Sequence, residues 1–176
     1  MTAYVDADGL EAGLEHILDS PADLGTVELV VRRPSEGERE VLEEGTLDYP
    51  GLVGDRHTLR GDTHAGTEIT LMNARVVDLV ADGDRDRWPL AGDQLYVDLD
   101  LGAENLPPGT RLQVGSATLE VTEVPHTGCA KFTARFGSEA TRFINAKPHR
   151  ELRLRGMNTR VVTPGTVRPG DTIRKV

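Results

Sequence analysis

The sequence predicts a mostly β fold with a few short helices, arranged as a closed or partly closed barrel in a single domain. Short apolar or alternating runs recur along the chain at 26–31, 69–72, 94–99, 111–114, 117–122, 156–162 and 172–176. Glycine and proline punctuate them, at Pro50-Gly51, Pro108-Gly109, Pro164-Gly165 and Pro169-Gly170. A two-residue link, Gly115-Ser116, joins two of the runs as a hairpin. Many short strands with frequent turns are the pattern of barrels, which close to remove exposed edges.

The elements follow in order. Residues 8–19 have helical periodicity, with Asp8 as the expected cap and Leu10, Leu14, Ile17 and Leu18 on one face. Ser20-Pro21 ends that helix, so residues 1–25 are expected to form a helical extension ahead of a barrel domain at 26–176. Thr26–Val31 is β-branched and reads as a strand, and a second is expected from Arg39 to about Leu47. Residues 49–66 read as one long polar loop carrying Arg56, His57, Arg60 and His64; loops of that length are often functional. Asn73 is placed to cap a helix bearing Val76, Val77 and Val80. Residues 82–87 read as a solvated turn, 131–136 and 138–145 as helices, and Thr172–Val176 as a closing strand.

The chemistry gathers around Val124–Phe132, which holds the only cysteine of the 176 residues, Cys129, with His126 before it and Lys131 after it. Thiolate is the reactive, metal-binding form of cysteine, and both cations and a helix start favour it. Ala130-Lys131-Phe132 is expected to be that helix start. The formal charge of −9 hides an asymmetry: residues 1–124 hold 9 Lys/Arg against 26 Asp/Glu, and residues 125–176 hold 11 against 3. The overall acidity excludes nucleic acid as an expected partner, while the basic part, which begins at the cysteine motif, suits a small anion. A lone cysteine forms no internal disulfide, no apolar run approaches the roughly 20 residues that span a bilayer, and the N-terminus shows no secretory pattern. A cytoplasmic protein without a membrane partner is expected.

Four ordered blocks resemble the MOSC domain family, named after the C-terminal domain of molybdenum-cofactor sulfurases. They are Gly51–His57, Pro107–Gly115, the strand Leu119–Thr122 running to Cys129, and Arg155–Val161 with Gly165–Asp171 behind it. The resemblance implies a barrel-like MOSC domain at 26–176 in which Cys129 ligates the molybdenum of a pterin cofactor. Arg56, His57, Arg75, His126, Lys131, Arg155, Asn158 and Arg160 are then the expected cofactor-binding residues, the cations because the pterin carries a phosphate. The chain departs from many members at Thr67-Glu68, where they have Arg-Gln, and at Gly92-Asp93-Gln94-Leu95, where they have Gly-Glu-Asn-Leu.

These readings lead to a reductase component acting on a small N-hydroxylated or N-oxide-type substrate, with electrons from a separate protein. The alternative is a non-catalytic carrier of the cofactor or of cysteine-bound sulfur. Pyridoxal phosphate is not expected, because the aminotransferase-like domain of full sulfurases is missing. A zinc site built from His57, His64, His126 and Cys129 has suitable ligand types, but the spacings fit no compact zinc motif.

Overall fold

The computed structural model describes residues 3–61 and 64–176. Its strands are β1 (Leu24–Arg32), β2 (Glu40–Val41), β3 (Gly45–Asp48), β4 (Gly51–Leu52), β5 (Ile69–Asn73), β6 (Leu95–Asp98), β7 (Arg111–Val114), β8 (Ala117–Val121), β9 (Met157–Thr163), β10 (Gly165–Val167) and β11 (Thr172–Lys175). The helices are α1 (Ala7–Leu18), α2 (Arg56–Arg60), α3 (Ala74–Val80), α4 (Ala130–Phe136) and α5 (Ser138–Asn145), with 3-10 segments at Arg85–Ala91 and Lys147–Leu152.

Seven strands close a barrel in the order β1-β6-β5-β9-β8-β7-β11, and β11 pairs back onto β1. Every neighbouring pair is antiparallel except β5–β6, which α3 connects as a crossover. Strands β10, β3 and β4 form a small separate sheet. Its Leu47, Leu52 and Val167 join Val27, Leu71, Val97, Leu112 and Leu119 in the barrel core.

A second core lies outside the barrel wall, where α1, α3, α4 and α5 cover it. Leu10, Ile17, Val76, Val80, Phe132, Phe136 and Phe143 pack there against Leu29, Val31, Met72 and Tyr96. Strand β1 serves both cores because its register shifts between Val27 and Leu29. Strict alternation would send Val27, Leu29 and Val31 to one face. The bulge instead leaves Val27 and Val30 inside and turns Leu29 and Val31 out to the helices.

Several expectations need correction. The cap of α1 is Asp6, whose side chain accepts from Gly9 N, and Leu18 is exposed. The strand expected from Arg39 to Leu47 is two pieces, because β2 pairs with β1 whereas β3 pairs with β10 and β4. The 49–66 stretch contains β4 and the short α2 as well as loop; its Asp62 and Thr63 lie outside the described residues. Gly165 opens a strand where a turn was expected. No described helix is long and apolar enough to cross a membrane.

Candidate functional site

Strand β8 leads to the 122–128 segment, which α4 then follows. Two side-chain amides fix that segment. Asn158 on β9 donates to the carbonyls of Val124 and Pro125 at 3.1 and 3.3 Å. Asn145, at the end of α5, accepts from Gly128 N at 3.0 Å and donates to Gly128 O at 3.2 Å. A Cβ at 128 would sit 2.9 Å from Ile144 Cδ1, so a larger residue there has to displace the end of that side chain.

Cys129 is therefore held in extended conformation as the N-cap of α4, and it is exposed. Its thiol is pulled below the ordinary value of 9.0, first by the Phe132 N–H, against the opposing effect of burial. The Lys131 N–H, Arg155 and Arg135 add to the pull. The helix start contributes as expected from sequence, through its backbone donors. The Lys131 ammonium instead lies 3.5 Å from Glu36.

Behind this segment Asp93 joins Arg155 and His126, the first two buried and the histidine half-buried. Asp93 is fully buried, with Oδ2 2.6 Å from Arg155 Nη1 and Oδ1 2.9 Å from His126 Nε2. Burial pushes the Asp93 carboxyl up, but Arg155 and His126 outweigh it and hold the group down at about 2. Arg155 also lies over the Phe132 ring, with its carbon 5.2 Å from the centroid. Gly156 lets this strand approach: its φ is +114°, and a Cβ would run into the Leu71 carbonyl.

The end of the 3-10 segment Arg85–Ala91 organises the rest. Four successive carbonyls each accept from a different arginine: Pro89 from Arg39 at 3.0 Å, Leu90 from Arg135 at 2.9 Å, Ala91 from Arg155 at 2.8 Å and Gly92 from Arg33 at 2.9 Å. Carbonyls at a helical C-terminus attract cations, so this one turn gathers an arginine cluster beside α4. Arg33 is neutralised by Asp55, and Arg155 by Asp93. Arg39, Arg56 and Arg135 meet no carboxylate among the described residues, and Arg56 Nε is sealed from solvent with no partner. Burial, then the nearby Arg135, Arg33 and Arg56, push Arg39 below its usual value. Among the described residues, Arg39, Arg56 and Arg135 are thus without a carboxylate counter-charge.

Two cavities adjoin. The larger, about 690 Å³, is lined by His126, Thr127, Ile144, Arg153, Arg155 and Met157 among others, and Cys129 is not in its wall. The smaller, about 150 Å³, is a cleft lined by residues that include His57, His64, Glu68, Thr70 and Gln94.

The structure thus brings Cys129, Arg155, His126 and Asn158 into one region, with Arg56 in the adjoining arginine cluster. It does not bring in Arg75, which pairs with Asp98 and donates to His16 O, or Arg160, which pairs with Glu120 on an exposed face. His57 belongs to the smaller cleft, apart from His126, and no group of three or more His, Cys, Asp or Glu among the described residues could hold a metal, so the four-ligand zinc arrangement does not form. Asp93, Arg33, Arg39 and Arg135 were not identified from sequence. Asp93 lies in the Gly92–Leu95 departure, and that was the only local signal for it.

Residues 68–174 match the model of the MOSC domain, and the chain belongs to that family. Its fold is similar to that of the YuaD protein from Bacillus subtilis, with a TM-score of 0.64 and 19% identity over 85% of this chain and 94% of that one. YiiM from Escherichia coli gives 0.57 and 18%, covering 86% of this chain and 69% of that one. YiiM from Geobacillus stearothermophilus gives 0.54 and 12%, covering 89% and 74%. No curated protein sequence matches significantly.

Proposed function

We propose that this MOSC protein binds molybdenum cofactor through Cys129 and serves as a cytoplasmic reductase component for N-hydroxylated or N-oxide-type substrates. The observation that carries the reading is an open, acidified thiol that feels Arg155 and Arg135, the latter without a carboxylate partner among the described residues. The donor set fits the group. A thiolate is a soft ligand suited to a thiophilic metal, and Arg39, Arg56 and Arg135 suit a phosphate. When bound, the cofactor supplies a metal that delivers an electron pair to an N–O bond.

The chain's own residues do the rest. Asn145 and Asn158 fix the segment that aims Cys129. Arg155, locked by Asp93 and the Ala91 carbonyl, keeps a positive field on the thiolate. His126 lines the larger cavity with Nε2 committed to Asp93. Reduction of an N-hydroxylated amine consumes an electron pair and two protons and releases the amine and water; a separate donor protein supplies the electrons.

The carrier reading is favoured by one observation: Cys129 is exposed and outside the wall of the larger cavity, where a partner protein could reach the sulfur. Protein purified from a host that makes the cofactor tests both readings. The reductase reading expects molybdenum, organic phosphate and turnover of an N-hydroxylated amidine with an added reductant. Molybdenum without turnover favours the carrier, and absence of molybdenum excludes both cofactor readings.

A further inference from the structure

We infer that the larger cavity is a binding site for an organic carboxylate with an apolar body, held at its charged end by the open Nε–Nη2 fork of Arg153. The inference is independent of the cofactor reading, because Cys129 is not in this wall.

Arg153 is one of two non-glycine residues with positive φ among the described residues, at +49°. It is the C-cap of the 3-10 segment Lys147–Leu152, a left-handed position that glycine fills without strain. Its guanidinium is only half engaged. Nη1 donates to the carbonyls of Leu106 at 2.7 Å and Leu101 at 3.3 Å, which anchors the 101–106 loop. Nε and Nη2 donate to nothing among the described residues, and neither is sealed from solvent.

Two other arginines show what completes this arrangement. Arg33 gives Nη1 to the Gly92 carbonyl and closes its Nε–Nη2 fork on Asp55, at 2.9 and 3.0 Å. Arg75 gives Nη1 to the His16 carbonyl and closes the same fork on Asp98, at 2.8 and 3.4 Å. Arg153 repeats the carbonyl half of the pattern and has no ion pair among the described residues. Burial pushes it below its usual value, and Glu151 offsets that only in part, without pairing. A carboxylate in the fork makes two charge-assisted hydrogen bonds and neutralises the half-buried cation.

The cavity that Arg153 lines decides the rest of the ligand. Its volume of about 690 Å³ is that of a small-molecule site. Val124, Pro125, Ile144, Leu154 and Met157 give it an apolar wall, which suits a hydrocarbon or aromatic body. Of the other cations in the wall, Arg155 is committed to Asp93 and Arg150 is exposed. Glu123 and Glu151 line the same cavity, and their charges oppose a phosphate dianion more than a carboxylate.

The test is calorimetric binding of 4-phenylbutyrate and of its neutral amide to the full chain at pH 7. Wild type should prefer the acid by tenfold or more. Arg153→Lys keeps a donor for the Leu101 and Leu106 carbonyls but has no fork; it should abolish that preference with the melting temperature little changed. Should that variant fail to fold, Glu151→Gln decides: it removes an exposed opposing charge and should tighten the acid while leaving the amide unchanged, and no tightening overturns the site. Equal binding of acid and amide by wild type, no binding of either, or a preference that survives Arg153→Lys also overturns it. Acetate bound as tightly as 4-phenylbutyrate would contradict the apolar wall. Inorganic phosphate that displaces 4-phenylbutyrate at equal concentration would contradict the choice of a carboxylate.

Discussion

At the scale of single residues, Cys129 and Asp93 show opposite relations between sequence and site. Cys129 was legible because its neighbours carry the signal: Gly128 permits the close approach to Ile144, and Ala130-Lys131-Phe132 begins a helix. Its acidity should be measurable as alkylation that becomes half-maximal below the ordinary thiol value of 9.0. Half-maximal labelling at 9 or above would remove the helix-start argument. Because the side chain is exposed, Cys129→Ser should cost only about 0.5 kcal/mol in denaturant unfolding. Asp93 was not legible, because its partners lie 62 and 33 residues away in sequence and meet it only in the folded chain. Asp93→Asn leaves the Arg155 guanidinium buried without its counter-charge and should cost about 3–5 kcal/mol. A loss below about 1 kcal/mol, within the range of an exposed pair, would show that Arg155 finds another partner.

At the scale of elements, the barrel strands were easier to anticipate than the connections. Alternating runs mark 95–98, 111–114 and 117–121, and each forms a strand in the expected hairpin or wall position. Residues 82–87 read as a solvated turn and the 3-10 segment at 85–91 has no expectation of its own, because main-chain carbonyls have no sequence signature. Its last carbonyl groups nevertheless position Arg39, Arg135, Arg155 and Arg33. The junction into β9 is equally demanding. Gly156→Ala places a side chain at φ +114° against the Leu71 carbonyl, and should cost about 1–3 kcal/mol. The same change should disturb His126, whose Cδ2 lies 3.3 Å from the added Cβ. The check is a thermal melt paired with the histidine NMR resonances; an unmoved His126 resonance would contradict the contact.

At the scale of the whole molecule, the charge asymmetry has a structural counterpart. The basic C-terminal part supplies Arg135 and Arg155, while the acidic N-terminal part supplies Asp93 together with Arg33, Arg39 and Arg56. The cationic cluster therefore draws on both halves, and counting charges along the chain located only part of it. The buried Asp93 carboxylate also sets a pH limit on the fold. Asp93 is depressed from 3.8 to about 2, so its contribution to stability is complete above about pH 4 and is lost as the pH falls through about 2. Unfolding free energy should drop across that window more steeply in wild type than in Asp93→Asn. Parallel curves for the two proteins would mean that Asp93 is not held down by Arg155 and His126.

The central claim is that the sulfur of Cys129 is a ligand to molybdenum. X-ray absorption at the molybdenum edge tests it most directly, on wild type and Cys129→Ser purified from the same cofactor-producing host. The account predicts that the variant either loses its molybdenum or retains it with one sulfur fewer in the coordination sphere, while the fold stays intact by circular dichroism. Molybdenum present in both proteins with an unchanged sulfur count would contradict it.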